Sequence, residues 1–385
     1  MNKRQPKSNA KAAVAALPPL DKYILWVVLG LGAIGVVAVY SAIGFLASSK
    51  AEGDVTGLLL RHVVHLGLGI IVMIAFSRID YHIVARYSRP MLILGTGLVL
   101  LVQLIGVSLG GAERALQVGS RMFQPAEIAK VGLLVYMAVL LAKKQTYIES
   151  FGRAFTPLFA WIILTVVLIG MEDLSTASIV LLSTVLMCFV ARVAVLQLSG
   201  LGLVTILLAT LFLVSSPARM HRLEEFLGMR LNADGTEQAD DLKVEQGYQS
   251  RQALIAFAMG GLTGQGPGKS VQRDFLPAPY NDFIFAIIAE EYGMFGAMAL
   301  LFLFMVLLFR GYLRVARHAP DPLGLIMAVG LTTVVALYGF VHAGVTCGLL
   351  PVTGLPMPFV SYGGTSILAN GMMMGILLNI SRQAK

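Results

Sequence analysis

The chain has 385 residues, of which 57% are hydrophobic and only 13% charged, and its mean hydropathy is +0.79. A soluble globular domain carries roughly 25% charged residues, so this composition excludes one and points to a membrane protein. The formal charge of +8 follows from where the cations sit between apolar runs, and no nucleic-acid partner is needed to explain it.

Residues 1–22 read as a disordered, basic cytoplasmic tail carrying Lys3, Arg4, Lys7, Lys11 and Lys22. The tail has no apolar core of its own, so it is not a cleavable signal peptide. Residues 23–385 read as a single polytopic membrane domain. An apolar run of about 20 residues can cross a bilayer as a helix. About ten such runs occur, at 23–47, 57–77, 90–109, 126–142, 154–171, 175–193, 196–215, 283–309, 321–346 and 361–381. Only Glu172-Asp173-Leu174-Ser175 separates the fifth from the sixth. The expected fold is therefore an all-α integral membrane protein of about ten transmembrane helices. Lys and Arg gather before the first span and after every second one: Arg78, Arg86 and Arg89, then Lys143, Lys144 and Arg153, then Arg192, then Arg310, Arg314 and Arg317, then Arg382 and Lys385. By the positive-inside rule both termini are cytoplasmic.

One connection is long. Residues 216–282, between spans seven and eight, form the expected extracytoplasmic loop, and a loop of this length is usually functional or disordered. It opens with Arg219, His221, Arg222, Glu224 and Glu225, interleaved with Leu223, Phe226 and Leu227 as the apolar face of an amphipathic helix. Residues 232–245 are acidic and read as flexible, and 248–258 read as helical. Gly260 to Gly268 is a glycine-rich turn, suited to φ > 0 and to close backbone approach to a ligand. The loop ends at Asp282, where an apolar segment enters the membrane. A carboxylate there is costly unless solvated, paired or used. Asn281 and Asp282 are also good N-caps for the next helix, so cap and catalyst both remain open on this run alone.

Glu127 and Lys130 lie three apart on one helix face and should pair, with Pro125 in the first turn. They are either structural or the lining of a polar cavity. Glu290 and Glu291 stand about 12 Å along the eighth span from Asp282, with Glu291 turned away from it, and read as packing or cavity groups. His62 and His65 share a helix face without a third ligand, and Cys188 and Cys347 lack metal-ligand spacing. No P-loop, dinucleotide fingerprint or Ser-His-Asp signature is visible, and no organic cofactor is expected.

Four separated motifs carry a resemblance. They are Phe123-Gln124-Pro125-Ala126-Glu127-Ile-Ala-Lys130, and Glu172-Asp173-Leu174-Ser175-Thr176-Ala177. A third runs from Gly247-Tyr248-Gln249 through Gly264 to Ser270-Val-Gln272-Arg273, Asp282 and Glu290-Glu291-Tyr-Gly293. The last is Gly348-Leu-Leu-Pro351-Val-Thr-Gly354 leading to Ser361-Tyr362-Gly363-Gly364-Thr365-Ser366. Together they resemble the SEDS family, whose members FtsW and RodA polymerise the lipid-linked peptidoglycan precursor. The resemblance implies an inverting glycosyltransferase of the bacterial inner membrane that polymerises lipid II and releases undecaprenyl pyrophosphate. It makes Asp282 the general base and Arg219 and Arg222 the main pyrophosphate contacts. Glu127, Lys130 and Asp173 become cavity candidates. Arg114, Gln249, Ser270 and Gln272 are further substrate contacts, with charge added by Arg121, Arg251, Lys269 and Arg273.

A divalent cation, Mg2+ or Mn2+, is an expected assistant. The implied partners are lipid II, the growing glycan strand, a class B penicillin-binding transpeptidase and other divisome or elongasome membrane proteins. The Gly268-to-Arg273 run is more FtsW-like, the Pro351-to-Ser361 run more RodA-like, and the whole leans to division. Elongation, lipid II flipping and a non-catalytic scaffold are the alternatives. The chain departs from the pattern in places. Gly111-Ala112-Glu113-Arg114-Ala115 lacks a usual Trp and one Arg, Tyr280 replaces a usual His, and Tyr338 and His342 stand for Gln and Asn.

Overall fold

The computed structural model describes residues 20–49, 55–109, 112–118, 121–231, 241–276 and 278–384. Residues 1–19 of the expected tail and 232–240 of the acidic stretch lie outside the described residues. Within them the hydropathic runs become helices: α1 (Lys22–Ser49), α2 (Val55–Arg78), a short α3 (Tyr81–Arg86) and α4 (Ser88–Ile105). Then follow α5 (Pro125–Lys143), α6 (Thr156–Glu172), α7 (Leu174–Val190), α8 (Val195–Val214), α9 (Pro217–Leu231), α10 (Asp241–Gly260), α11 (Ile284–Phe309), α12 (Pro322–Thr346) and α13 (Gly364–Gln383). Among the described residues nine helices are long and apolar enough to span a bilayer, and α7 is a shorter apolar tenth. The α6–α7 break falls where the sequence places it. Asp173 ends α6 and caps α7, its carboxylate accepting the Ser175 and Thr176 N–H groups at 2.9 and 3.2 Å.

The all-α expectation holds, with two local corrections in the connections. The connection from α4 to α5 is a small antiparallel ribbon of β1 (Val107–Leu109), β2 (Ala112–Val118) and β3 (Arg121–Phe123), with Val107 opposite Ala115 and Leu116 opposite Phe123. The third apolar run therefore ends as a helix at Ile105, with extended Gly106 as its C-cap. The sequence signal for this was Gly110-Gly111, a hairpin-turn dipeptide. A second correction lengthens the loop helix, since α10 starts at Asp241 and not near Tyr248.

α5 and α12 form the centre of the bundle, buried along most of their length, and α12 packs against α5, α7, α11 and α13. Around them α2 and α13 run in parallel. A Cβ at Gly371 would collide with the Gly69 backbone, and Asn379 Nδ2 donates to the Ser77 carbonyl at 3.1 Å. Without a hydrophobic driving force between helices in lipid, such close approach of small residues supplies the packing. α8 is the loosest member. Only Gln197, Leu201 and Thr205 are buried on it, and a pocket of about 40 Å³ is lined by its Thr205 and Phe212 together with Gly170 and Ala177.

The two ends of the bundle differ. One carries the ribbon, the α6–α7 turn, α9, α10 and Asp282. At the other, Asp21 caps α1 and pairs with Arg310 at 2.8 Å, and Arg310 lies 4.4 Å over the Tyr23 ring.

Candidate functional site

Asp282 closes a loop that folds back on the helix it feeds. The glycine turn docks on α11 backbone to backbone: Gln265 N–H donates to Glu290 O and Gly266 N–H to Glu291 O, both at 2.9 Å, and Met294 N–H returns to Gly261 O at 2.9 Å. Gly264 (φ +83) and Gly293 (φ +67) face each other there, and a Cβ on either would overlap the other strand of chain. Gly293 also interrupts α11. The close approach read from these glycines is therefore made to the protein's own helix.

Next in the loop, Ser270 to Arg273 is latched by the two glutamates. Glu290 accepts the Val271 N–H at 2.9 Å, the Gln272 N–H at 3.2 Å and the Ser270 hydroxyl. Glu291 accepts the Ser41 hydroxyl of α1 and the Ser270 N–H at 3.4 Å, while Arg273 donates to the Ser41 carbonyl at 3.0 Å. Both glutamates are buried, and charge-assisted acceptance of several N–H and O–H donors is what makes such burial tolerable. Ser270 and Gln272, candidate substrate contacts, are turned inward and buried on this latch. Ser41 was invisible to sequence reading, a lone hydroxyl in an apolar run.

The last turn sets the carboxylate. Asn281 N–H and Asp282 N–H both donate to Ala278 O, at 3.1 and 3.2 Å. The N-cap of α11 is Phe283, so Asp282 stands one residue before the cap. It is half-buried. On one side, α10 packs Ala253 and Ala256 against Phe283, Ala286 and Ile287. The two helices run parallel here, Phe257 meeting Phe285 at 5.7 Å and Gly260 the Ala289 carbonyl, so Gln249, one turn before Ala253, lies beyond the level of Phe283. On the other side the fourth motif grips the chain: Ser361 Oγ donates to Asn281 O at 2.8 Å, and Tyr362 N–H to Tyr280 O at 3.0 Å. Tyr362 stacks on buried His62 at 5.9 Å and meets Tyr280 edge-on at 5.7 Å. Nothing in the sequence signals these bonds, which join segments about eighty positions apart. The same motif reaches the first one, with Gln124 N–H donating to Thr365 Oγ1 at 3.4 Å.

A second polar group crosses the bundle. Lys130 Nζ lies 2.7 Å from Glu127 Oε2, with both side chains buried, and 4.3 Å from the Tyr338 ring centroid. Tyr338 OH donates to Thr176 Oγ1 at 3.2 Å, and Thr176 Oγ1 donates to Asp173 Oδ2 at 2.9 Å. Beyond Asp173 comes Arg219, whose Nη2 donates to Met171 O at 2.6 Å. Burial lowers the basicity of Arg219, the charge of Asp173 opposes that fall, and the charge of Arg222 adds to it. Glu127, Lys130, Asp173 and Arg219, four separate candidates in the sequence, thus lie on one seam. Tyr338, read only as a departure, is the link between its halves. Arg222 is half-buried one turn beyond Arg219. Arg114 falls on β2, its side chain outside those described. Among the described residues no group of three or more His, Cys, Asp or Glu could hold a metal ion.

A bundle of apolar helices, ten among the described residues, with a buried ion pair and with an acid and arginines gathered at one end, defines a polytopic membrane protein with a polar site at its rim. The family model described as cell cycle protein, covering FtsW, RodA and SpoVE, matches residues 21–385, and the chain belongs to that family. It is 34% identical over 369 residues to stage V sporulation protein E of Bacillus subtilis, covering 95% of this chain and 98% of the relative. It is 34% identical over 381 residues to a probable peptidoglycan glycosyltransferase FtsW of Geobacter metallireducens, covering 98% of each. The fold matches the rod shape determining protein RodA of Thermus thermophilus, with a TM-score of 0.68 at 25% identity over 95% of this chain and 97% of that one. It also matches a chain of a peptidoglycan synthase complex that coordinates polymerization and crosslinking, with a TM-score of 0.73 at 25% identity over 94% and 98% of the two chains.

Proposed function

We propose that this protein is the glycosyltransferase that polymerises lipid II into glycan strands for cell division, in the bacterial cytoplasmic membrane. The relatives named as FtsW glycosyltransferases align over nearly the whole chain. The observation that carries the site is the placement of Asp282, one residue before the N-cap of a membrane helix, on a turn held from two sides by α10 and the fourth motif. In this reading the end bearing Asp282 faces away from the cytoplasm.

The chemistry follows from those groups. Asp282 accepts the proton of the acceptor sugar hydroxyl as that oxygen attacks C1 of the donor sugar. The new C1–O bond forms with inversion as the old C1–O bond to pyrophosphate breaks, and undecaprenyl pyrophosphate leaves with the electron pair. A general base must lie within hydrogen-bond reach of the hydroxyl it serves. Arg219 and Arg222 neutralise the departing pyrophosphate, which a guanidinium meets two oxygens at a time. Lys130, Glu127 and Asp173 hold the seam behind them. The expected Mg2+ or Mn2+ is assigned no step. A class B penicillin-binding transpeptidase is the partner this reading assigns for crosslinking.

The test is polymerisation of labelled lipid II by purified protein, wild type against Asp282→Ala, with and without Mg2+ or Mn2+. Glycan polymer from wild type that disappears in the variant is the expected result. Headgroup translocation without polymer would replace the reading with a transporter, and inactivity of both proteins with a retained partner complex would replace it with a scaffold.

A further inference from the structure

The fourth motif meets the Asp282 loop with an unusual degree of constraint. Ser361 is buried, and its single hydroxyl makes two bonds at once: it donates to Asn281 O at 2.8 Å and accepts the Met357 N–H at 2.8 Å. A serine hydroxyl has one proton to give, so the two bonds together fix its orientation. One residue on, Tyr362 N–H holds Tyr280 O at 3.0 Å. Consecutive residues of a segment eighty positions downstream thus grip the carbonyls of Tyr280 and Asn281, the two peptide units leading into Asp282.

The gripping turn is itself strained. Val360 and Ser361 N–H groups both donate to Met357 O, at 3.2 and 3.0 Å, and buried Phe359 inside the turn has φ +63. A bulky residue with positive φ is a genuine outlier. Such strain persists only where the surroundings over-determine it, and it clusters at functional sites. Packing alone does not ask for it, because a small residue at 361 without a hydroxyl would fill the same space.

We infer that Ser361 is a positioning residue for Asp282: its hydroxyl fixes the peptide that aims the carboxylate at the acceptor sugar. The inference rests on Asp282 being the general base. Ser361 itself touches neither substrate nor the transferred proton. Its bond sets where the base stands, and displacement of a reacting group by about 1 Å can cost on the order of 100-fold in rate.

The experiment measures lipid II polymerisation by the full-length protein as a function of substrate concentration and pH, for wild type, Ser361→Ala, Ser361→Thr and Asp282→Asn. Ser361→Ala is expected to lower kcat by about 10- to 100-fold, with KM little changed and the acid limb of the rate profile displaced. Ser361→Thr, which keeps the hydroxyl, is expected to recover most of that loss. Wild-type kcat in Ser361→Ala overturns the inference. So does a raised KM at unchanged kcat, which would make Ser361 a substrate contact, or a Ser361→Thr as slow as Ser361→Ala. Should Ser361→Ala lose its monodisperse peak, Ser361→Cys takes its place. The thiol is close in size and a weaker donor, so an intermediate kcat supports the inference and wild-type kcat overturns it. Asp282→Asn separates the two levels. If it polymerises normally, the base assignment falls; if it is inactive while Ser361→Ala is fully active, only the positioning role falls.

Discussion

Lys130 and Glu127 show what one residue pair can decide. Both are buried, 2.7 Å apart, and the Lys130 ammonium also faces the Tyr338 ring. Removing one member of such a pair leaves an uncompensated buried charge and costs about 3–5 kcal/mol, whereas replacing both with apolar groups is often close to neutral. Lys130→Met is therefore expected to lower the melting temperature of the purified protein sharply. Lys130→Met combined with Glu127→Leu should recover much of that loss. Recovery would identify the loss as the stranded carboxylate; a double variant no more stable than the single one would contradict the pairing. Tyr338→Phe should be milder, because it keeps the ring over Lys130 and removes the hydroxyl with its bond to Thr176, worth about 1 kcal/mol.

Among the elements, the loop from Gly260 to Asp282 depends on two devices, the glycine contact and the glutamate latch. Gly264→Ala places a Cβ into the Glu291 carbonyl at a φ of +83, a conformation that alone costs a non-glycine residue about 1 kcal/mol or more. Glu290→Gln keeps the shape and weakens the charge-assisted bonds to Val271 and Gln272. Each variant should raise amide hydrogen exchange across 264–276 while α12 stays protected, and an unchanged exchange pattern would mean the latch holds nothing. These devices also mark where the sequence stopped being legible. Hydropathy located the helices because it reports the solvent each segment sees, and the Glu172–Ser175 step divided α6 from α7 in advance. Spacing placed Lys130 on Glu127 because they share one helix. It could not bring Ser41 to Glu291, Ser361 to Asn281 or Tyr338 to Thr176, since those bonds join segments 80 to 250 positions apart. Helical periodicity could not show that the loop returns to meet Glu291.

Across the whole molecule, the basic end is stapled where the Asp282 end is folded over. Asp21 joins α1 to Arg310, and its N–H reaches Ser381 Oγ at 3.4 Å near the end of α13. Beside it His82 bridges two carboxylates, Nδ1 to Asp80 and Nε2 to Asp321, each at 2.8 Å. Asp321 caps α12 through Gly324 N–H and accepts the Tyr81 hydroxyl, and Tyr81 N–H donates to Asn379 of α13. Burial pulls the His82 pKa down, but the hydrogen bonds and charges of Asp80 and Asp321 outweigh it and raise the value above 6.5. Burial raises the two carboxylates, and their N–H, His82 and hydroxyl partners outweigh it and lower both below 3.8. A raised histidine stabilises fully below its unfolded value and loses that contribution as pH rises through the folded one. Depressed carboxylates stabilise above their unfolded value and lose that contribution as pH falls through the folded one. All three groups act together between about pH 4 and pH 6.5. The groups are partly exposed, so the effect is a modest slope. The melting temperature of the wild type should decline as pH rises above about 6.5 through the His82 titration, and the decline should flatten in His82→Gln. Equal slopes in the two proteins would show that the bridge across α3, α12 and α13 does not couple proton binding to the fold.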